Sequence, residues 1–167
     1  MEAAEKVFTY LDNLGIKYQI HNHPAIFTVD DANQHWRILR GMKCKNLFLR
    51  DREGKKHFLV VVEANKRVDL QALRRLIPCS KLSFGSPERL LKYLGITPGS
   101  VSPAGLINDE KCEVKVIIDE DCFSAEFVSF HPNTNTATLE ITPSDFEKFL
   151  DSTKHSWRKM KIPELES

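Results

Sequence analysis

At 167 residues the chain has room for one ordinary domain with a sizeable core. Its 41% hydrophobic and 28% charged residues suit a globular protein, and a formal net charge of +1 excludes a global cationic field for nucleic acid, so any basic patch must be local. Four scattered cysteines without a CxxC pair, an acidic Met1–Glu5 start and no apolar run of bilayer length predict free thiols in a reducing, cytoplasmic setting, with no secretory leader or membrane span.

Residues 2 to about 14 place Ala3, Val7, Phe8, Leu11 and Leu14 on one helical face, and Gly15 stops that helix. Ile16 to His21 alternates apolar and polar residues as a half-buried strand does, and His21-Asn22-His23-Pro24 breaks it. Thr28 with Asp31 resembles a capping box and predicts a helix to about Leu39, ended by Gly41. Leu47-Phe48-Leu49 then opens a buried strand. The turn Arg50–Gly54 returns it as a hairpin with His57–Glu63.

Leu70, Leu73, Leu76 and Ile77 mark a helix before Pro78, and Leu82–Gly85 is a short strand or loop. Ser86-Pro87-Glu88 starts a helix running to Leu94, with Gly95 at its end. The segment Gly95–Leu106 carries three glycines and two prolines, which excludes regular helix and predicts an ordered, turn-rich loop. Val114–Asp119 and Phe127–His131 are strands, Thr136–Ile141 pairs with the latter as a hairpin, and Thr142-Pro143 caps a last helix burying Phe146, Phe149 and Leu150. The polar, basic stretch of about 152–167 is predicted to be a partly mobile tail. Strands outnumber helices without alternating strictly with them. This pattern predicts a single α+β domain over 1–167, its mixed, mostly antiparallel sheet packed with helices.

Candidate chemistry sits at five places. His21-x-His23 has the residue type for a metal, yet no acid or cysteine stands at a helpful spacing, so it reads as a strand end with surface histidines. Cys44 lies between Lys43 and Lys45, a setting that favours a thiolate nucleophile. Lys45-Asn46 offers a charge and an amide at a strand end. Gly99-x-x-x-Pro103 offers backbone N–H groups in a stiffened loop, able to hold a carbonyl or phosphate oxygen. His131-Pro132 sets an imidazole at a strand exit.

Three stretches, Lys45-Asn46-Leu47-Phe48-Leu49, Gly99-Ser100-Val101-Ser102-Pro103 and Phe130–Ala137 with its His131-Pro132-Asn133-Thr134-Asn135 run, occur in the order and spacing of one family. The chain resembles the prolyl-tRNA editing family, which comprises the editing insertion of bacterial prolyl-tRNA synthetases and the free-standing YbaK and ProX proteins. His23-Pro24, Phe27-Thr28-Val29 and the helix after Thr142-Pro143 extend the resemblance over nearly the whole sequence. Lys45-Asn46 and the His131–Thr136 run are more similar to ProX-type deacylases of alanyl-tRNA(Pro) than to the cysteinyl-specific YbaK branch. Trp36, Arg37 and Gly41–Cys44 depart from the glycine- and threonine-rich lead-in of many members.

The resemblance implies hydrolysis of the ester joining a wrong amino acid, alanine first, to the terminal adenosine of tRNA(Pro). It implies Lys45, Gly99 and His131 as the catalytic positions. Lys45 would hold a phosphate or ribose, Gly99 the ester carbonyl, and His131 the wall of the amino-acid pocket. Asn46, Phe27, Thr28, Ser100, Val101, Ser102, Pro103 and Pro132 would bind substrate. It implies no metal, cofactor or protein nucleophile, the water being activated by the substrate's own ribose hydroxyl. Prolyl-tRNA synthetase and elongation factor are candidate helpers. The cluster Lys154, Arg158, Lys159 and Lys161 is open to two readings, a tRNA contact or a solvated tail. The rival functions are a cysteinyl-tRNA(Pro) deacylase, a non-catalytic regulator that binds aminoacyl-tRNA or an amino acid, and a thiol enzyme using Cys44.

Overall fold

The computed structural model describes residues 2–25 and 41–166. Helix α1 (Ala3–Asn13) buries Val7 and Leu11, and Gly15 leaves it at φ 72°, a left-handed turn that costs glycine little. Strand β1 (Gln19–Asn22) precedes the hairpin of β2 (Cys44–Arg50) and β3 (His57–Glu63). Helix α2 (Leu70–Leu76), β4 (Ser83–Phe84) and α3 (Pro87–Leu94) follow. Two 3-10 turns, Pro98–Ser100 and Pro103–Asn108, lead to β5 (Val114–Asp119) and a third at Glu120–Phe123. The remainder is β6 (Val128–Phe130), β7 (Ala137–Ile141), α4 (Pro143–Ser152) and β8 (Trp157–Met160). Side-chain caps start three of the helices: Asp69 accepts from Ala72 N at 3.0 Å, Ser86 from Arg89 N at 3.2 Å and Thr142 from Asp145 N at 3.1 Å. Each such cap is worth about 1 kcal/mol.

The strands form two sheets, a five-stranded one in the order β4-β2-β3-β5-β8 and a three-stranded one in the order β1-β7-β6. Pairings are antiparallel except β3–β5 and β5–β8, so the fold is the mixed α+β domain that the strand count predicts. Alternation along β3 explains why His57 through Val62 are all buried. Leu59 and Val61 face a core with α1, α3, α4 and the small sheet, while Phe58, Val60 and Val62 face a second core under Leu73 of α2.

Three expectations need correction or lie elsewhere. The first strand begins at Gln19, not Ile16, because Ile16 N–H still bonds Leu11 O at the helix end, and Tyr18 stacks on Phe8 with ring centroids 5.6 Å apart. The chain after Ser152 is not a loose tail: β8 pairs in parallel with β5 from Val116–Trp157 to Asp119–Met160, and Val68 bridges Glu164. Its basic side chains hid a strand whose Trp157 stacks on Phe123. The helix expected between Thr28 and Leu39 lies outside the described residues.

Candidate active site

The site forms where the chain crosses from the small sheet to the large one. Met42 N–H donates to Phe127 O at 2.9 Å and Met42 bridges Val128 of β6 in parallel; two residues later the chain begins β2 against β3. The two sheets therefore meet edge to edge at residues 41–43, and a cavity of about 230 Å³ opens beside the seam. Its walls are Lys43 to Asn46 from the start of β2, Pro98, Gly99 and Val101 from the first 3-10 turn, Ser129 to His131 from β6, and Thr138 from β7.

Lys45, Asn46, Gly99, Val101 and His131, separated by up to 86 positions (131 − 45), thus share one cavity. The side chain of Lys45 has no hydrogen bond or ion pair among the described residues. Asn46 Oδ1 and Ser129 Oγ are both buried without a hydrogen-bond partner among the described residues. An unpaired buried acceptor costs about 1–3 kcal/mol, so two of them at one cavity mark places where a ligand's donors would repay the burial. A buried Ser129 and Thr138 were not legible as site residues; the only signal was their position within two residues of Phe130-His131 and Ala137 in the matching run.

Ser100, Ser102, Pro103 and Pro132 are buried and do not line the cavity. Instead they carry its wall. Ser100 N–H is engaged by Thr97 O at 2.9 Å, and Ser102 Oγ accepts from Ala104 N at 3.0 Å while donating to His131 O, pinning the glycine turn to the β6 exit. The amides of Gly99 and Val101 are therefore the donors this wall has to offer. A β-carbon on Gly99 would meet only Asn135 Nδ2, at 3.7 Å, so packing does not demand glycine there; the open side is the cavity's. Phe27 and Thr28 lie outside the described residues.

His131 Nδ1 lies 3.0 Å from Ala137 O, and since a carbonyl only accepts, Nδ1 carries the hydrogen and Nε2 keeps a lone pair. Burial pushes this imidazole below its usual range; the Ala137 carbonyl opposes that shift, and His23, 6.3 Å away between ring centroids, adds to it. The histidine is thus neutral at pH 7, a polar wall rather than a charge. His21 and His23 are not free surface histidines either: His21 Nε2 meets Glu140 Oε1 at 2.8 Å and His23 Nε2 meets Thr138 Oγ1 at 2.9 Å.

The rival reading of a thiolate at Cys44 is not supported. Its Sγ lies 3.7 Å from the buried Cys122 Sγ, and that thiol, then burial, push Cys44 well above its ordinary range. Lys43 and Lys45 flank it in sequence without lowering it. A larger depression of about 300 Å³, rimmed by Lys56, Lys115 and Arg158, lies at the far end of β3 and includes none of the candidate residues.

A family model described as the aminoacyl-tRNA editing domain matches residues 23–149, which takes in every wall of the cavity. A prolyl-tRNA editing protein, ProX, from Acetoanaerobium sticklandii is 36% identical over 162 residues, covering 97% of this chain and 99% of that one. The chain belongs to the aminoacyl-tRNA editing domain family. This editing domain is also 33% identical to a prolyl-tRNA synthetase associated domain-containing protein 1 from Bos taurus, covering 85% of both. Its fold superimposes on a crystal structure described as a candidate trans-editing enzyme for prolyl-tRNA synthetase, with TM-score 0.75, 23% identity and 99% of both chains covered. No helix among the described residues is long and apolar enough to cross a membrane.

Proposed function

We propose that this editing domain is a free-standing deacylase that hydrolyses the ester between a wrong amino acid, alanine first, and the terminal adenosine of tRNA(Pro). The observation that carries the reading is the convergence of Lys45, Asn46, Gly99 and His131 on one cavity beside the sheet seam. At about 230 Å³ the cavity is smaller than the ~300–1,000 Å³ of drug-sized sites. That volume suits a small aminoacyl group with the ribose at its rim, not a whole nucleotide.

Lys45, free of protein partners among the described residues, supplies a point charge for the terminal phosphate or ribose oxygens. The Gly99 and Val101 amides stabilise the ester carbonyl oxygen as it becomes tetrahedral and negative. Asn46 Oδ1 and Ser129 Oγ accept from the substrate's ammonium or hydroxyl donors. His131, held neutral and tethered to Ala137 O, bounds the amino-acid pocket. The water is activated by the adenosine's neighbouring ribose hydroxyl, which removes the need for a protein base or a thiol.

The test is a deacylation panel on purified Ala-, Cys-, Ser- and Pro-tRNA(Pro) beside Ala-tRNA(Ala). Release of alanine from Ala-tRNA(Pro), with Pro-tRNA(Pro) spared, is expected. No turnover on any member, with tight binding of Ala-tRNA(Pro), would instead identify a non-catalytic regulator; preference for Cys-tRNA(Pro) would move the specificity to cysteine.

A further inference from the structure

The seam beside the cavity is held by a carboxylate that none of these roles uses. Glu140 lies in β7, the central strand of the small sheet, and is 2% exposed. Its two oxygens serve different parts of the chain. Oε1 accepts from His21 Nε2 of β1 at 2.8 Å, and Oε2 accepts the backbone N–H of Gly41. Across β6 it stands opposite Ser129, one of the cavity's walls.

Gly41 is the point at which the chain leaves the small sheet for β2. A β-carbon there would lie 2.7 Å from Ser129 Oγ, 2.8 Å from Phe127 O and 2.9 Å from Glu140 Oε2, all closer than side-chain atoms pack. The next residue makes the Met42–Phe127 hydrogen bond and the Met42–Val128 bridge, and the fourth after Gly41 is Lys45. The glycine and the carboxylate therefore work together. One lets the crossing segment approach β6 closely, and the other draws its amide in. With β6 fixed on the opposite side, the position of this crossing sets how far Lys45 and Asn46 stand from Ser129 and His131.

We propose that Glu140 is a positioning residue for deacylation: by clamping Gly41 and His21 to β7 it sets the width of the cavity between the Lys45 and His131 walls, and with it the choice of aminoacyl group. This role rests on the deacylase reading given above. The chemistry of the carboxylate suits the task, because it accepts on both oxygens and so takes two N–H donors without leaving either unpaired. A glutamine at 140 keeps one acceptor for Gly41; its amide nitrogen then meets His21, whose imidazole takes the other tautomer to accept from it.

The experiment compares wild type with Glu140→Ala, Glu140→Gln and Gly41→Ala in single-turnover deacylation of Ala-tRNA(Pro) and Pro-tRNA(Pro), with thermal melts alongside. Glu140→Ala is expected to lower the alanyl rate at least tenfold and to narrow the alanyl-over-prolyl preference at least fivefold, because a loosened seam misplaces Lys45 and admits a larger side chain. Glu140→Gln is expected to recover most of both. Gly41→Ala keeps the carboxylate but wedges the seam, and is expected to reproduce the Glu140→Ala pattern; it also supplies the reading if Glu140→Ala fails to fold. A folded Glu140→Ala or Gly41→Ala that melts earlier yet retains wild-type rate and preference would overturn the proposal and leave Glu140 a purely structural residue. Absence of wild-type turnover would remove the deacylase reading and this role together, whereas an active wild type with indifferent variants removes this role alone.

Discussion

On the β2 wall of the cavity Lys45 stands without a partner among the described residues, whereas on the β6 wall His131 is tied by its ring to Ala137 O and by its carbonyl to Ser102 Oγ. The difference separates two tasks. Under the proposed function, a charge meant for a ligand's oxygen is best left unspent, since a protein partner would compete for it. A side chain proposed to bound the amino-acid pocket is best locked, because discrimination by volume depends on a wall that does not yield. Stability and activity should therefore divide between the two walls in opposite proportions.

Lys45→Ala provides the severest test of that division. It is expected to reduce single-turnover deacylation of Ala-tRNA(Pro) by about a thousandfold, roughly 4 kcal/mol of barrier, while the melting temperature stays within about 2 °C of wild type. A large melting shift would mean that the lysine has structural work after all. Gly99→Val comes next. With only Asn135 Nδ2 near the new β-carbon, the fold should tolerate it, but the side chain crowds the carbonyl's approach and an approximately hundredfold loss in rate is expected.

His131→Ala should reverse the proportions. Loss of its tether to Ala137 O and of buried volume is expected to cost about 2–3 kcal/mol of stability in denaturant melts, while the alanyl-over-cysteinyl preference shifts by about tenfold. The smallest effect is in pH. Because burial lowers the imidazole's affinity for a proton in the folded chain, the unfolded state takes up the proton first as pH falls. The stability that His131 contributes is complete above its ordinary value of about 6.5 and drains away below it, so melts from pH 7.5 to 5.5 should decline in wild type more steeply than in His131→Ala. Equal slopes would place the acid sensitivity elsewhere.

Much of this architecture could be read in the residues. Apolar runs announced β2 and β3, and Ser86-Pro87 and Thr142-Pro143 announced two helices with their caps. The resemblance carried by Lys45-Asn46, Gly99 and His131 implied that they share one pocket. Glu140 shows why the rest stayed hidden. Thr138-Leu139-Glu140 alternates like a strand with one wet face, yet all of Ala137–Ile141 is buried. The polar face of β7 is covered by polar neighbours from distant parts of the chain, His21, His23 and Gly41, and no local pattern encodes such company. Cys44 remained open as a rival nucleophile for the same reason, since what governs its thiol is Cys122, 78 positions away, and not the adjacent lysines.

The basic stretch that closes the large sheet has a consequence beyond packing. As the outermost strand, β8 covers the parallel edge of β5, a row of backbone donors and acceptors that would otherwise pair with another chain. Its successive side chains go to opposite faces: Arg158 is anchored to Leu76 O at 2.9 Å and Lys159 lies over the Phe123 ring at 4.2 Å. The stretch that resembles a loose cationic tail thus occupies an edge of β5 that would otherwise stand open to pairing.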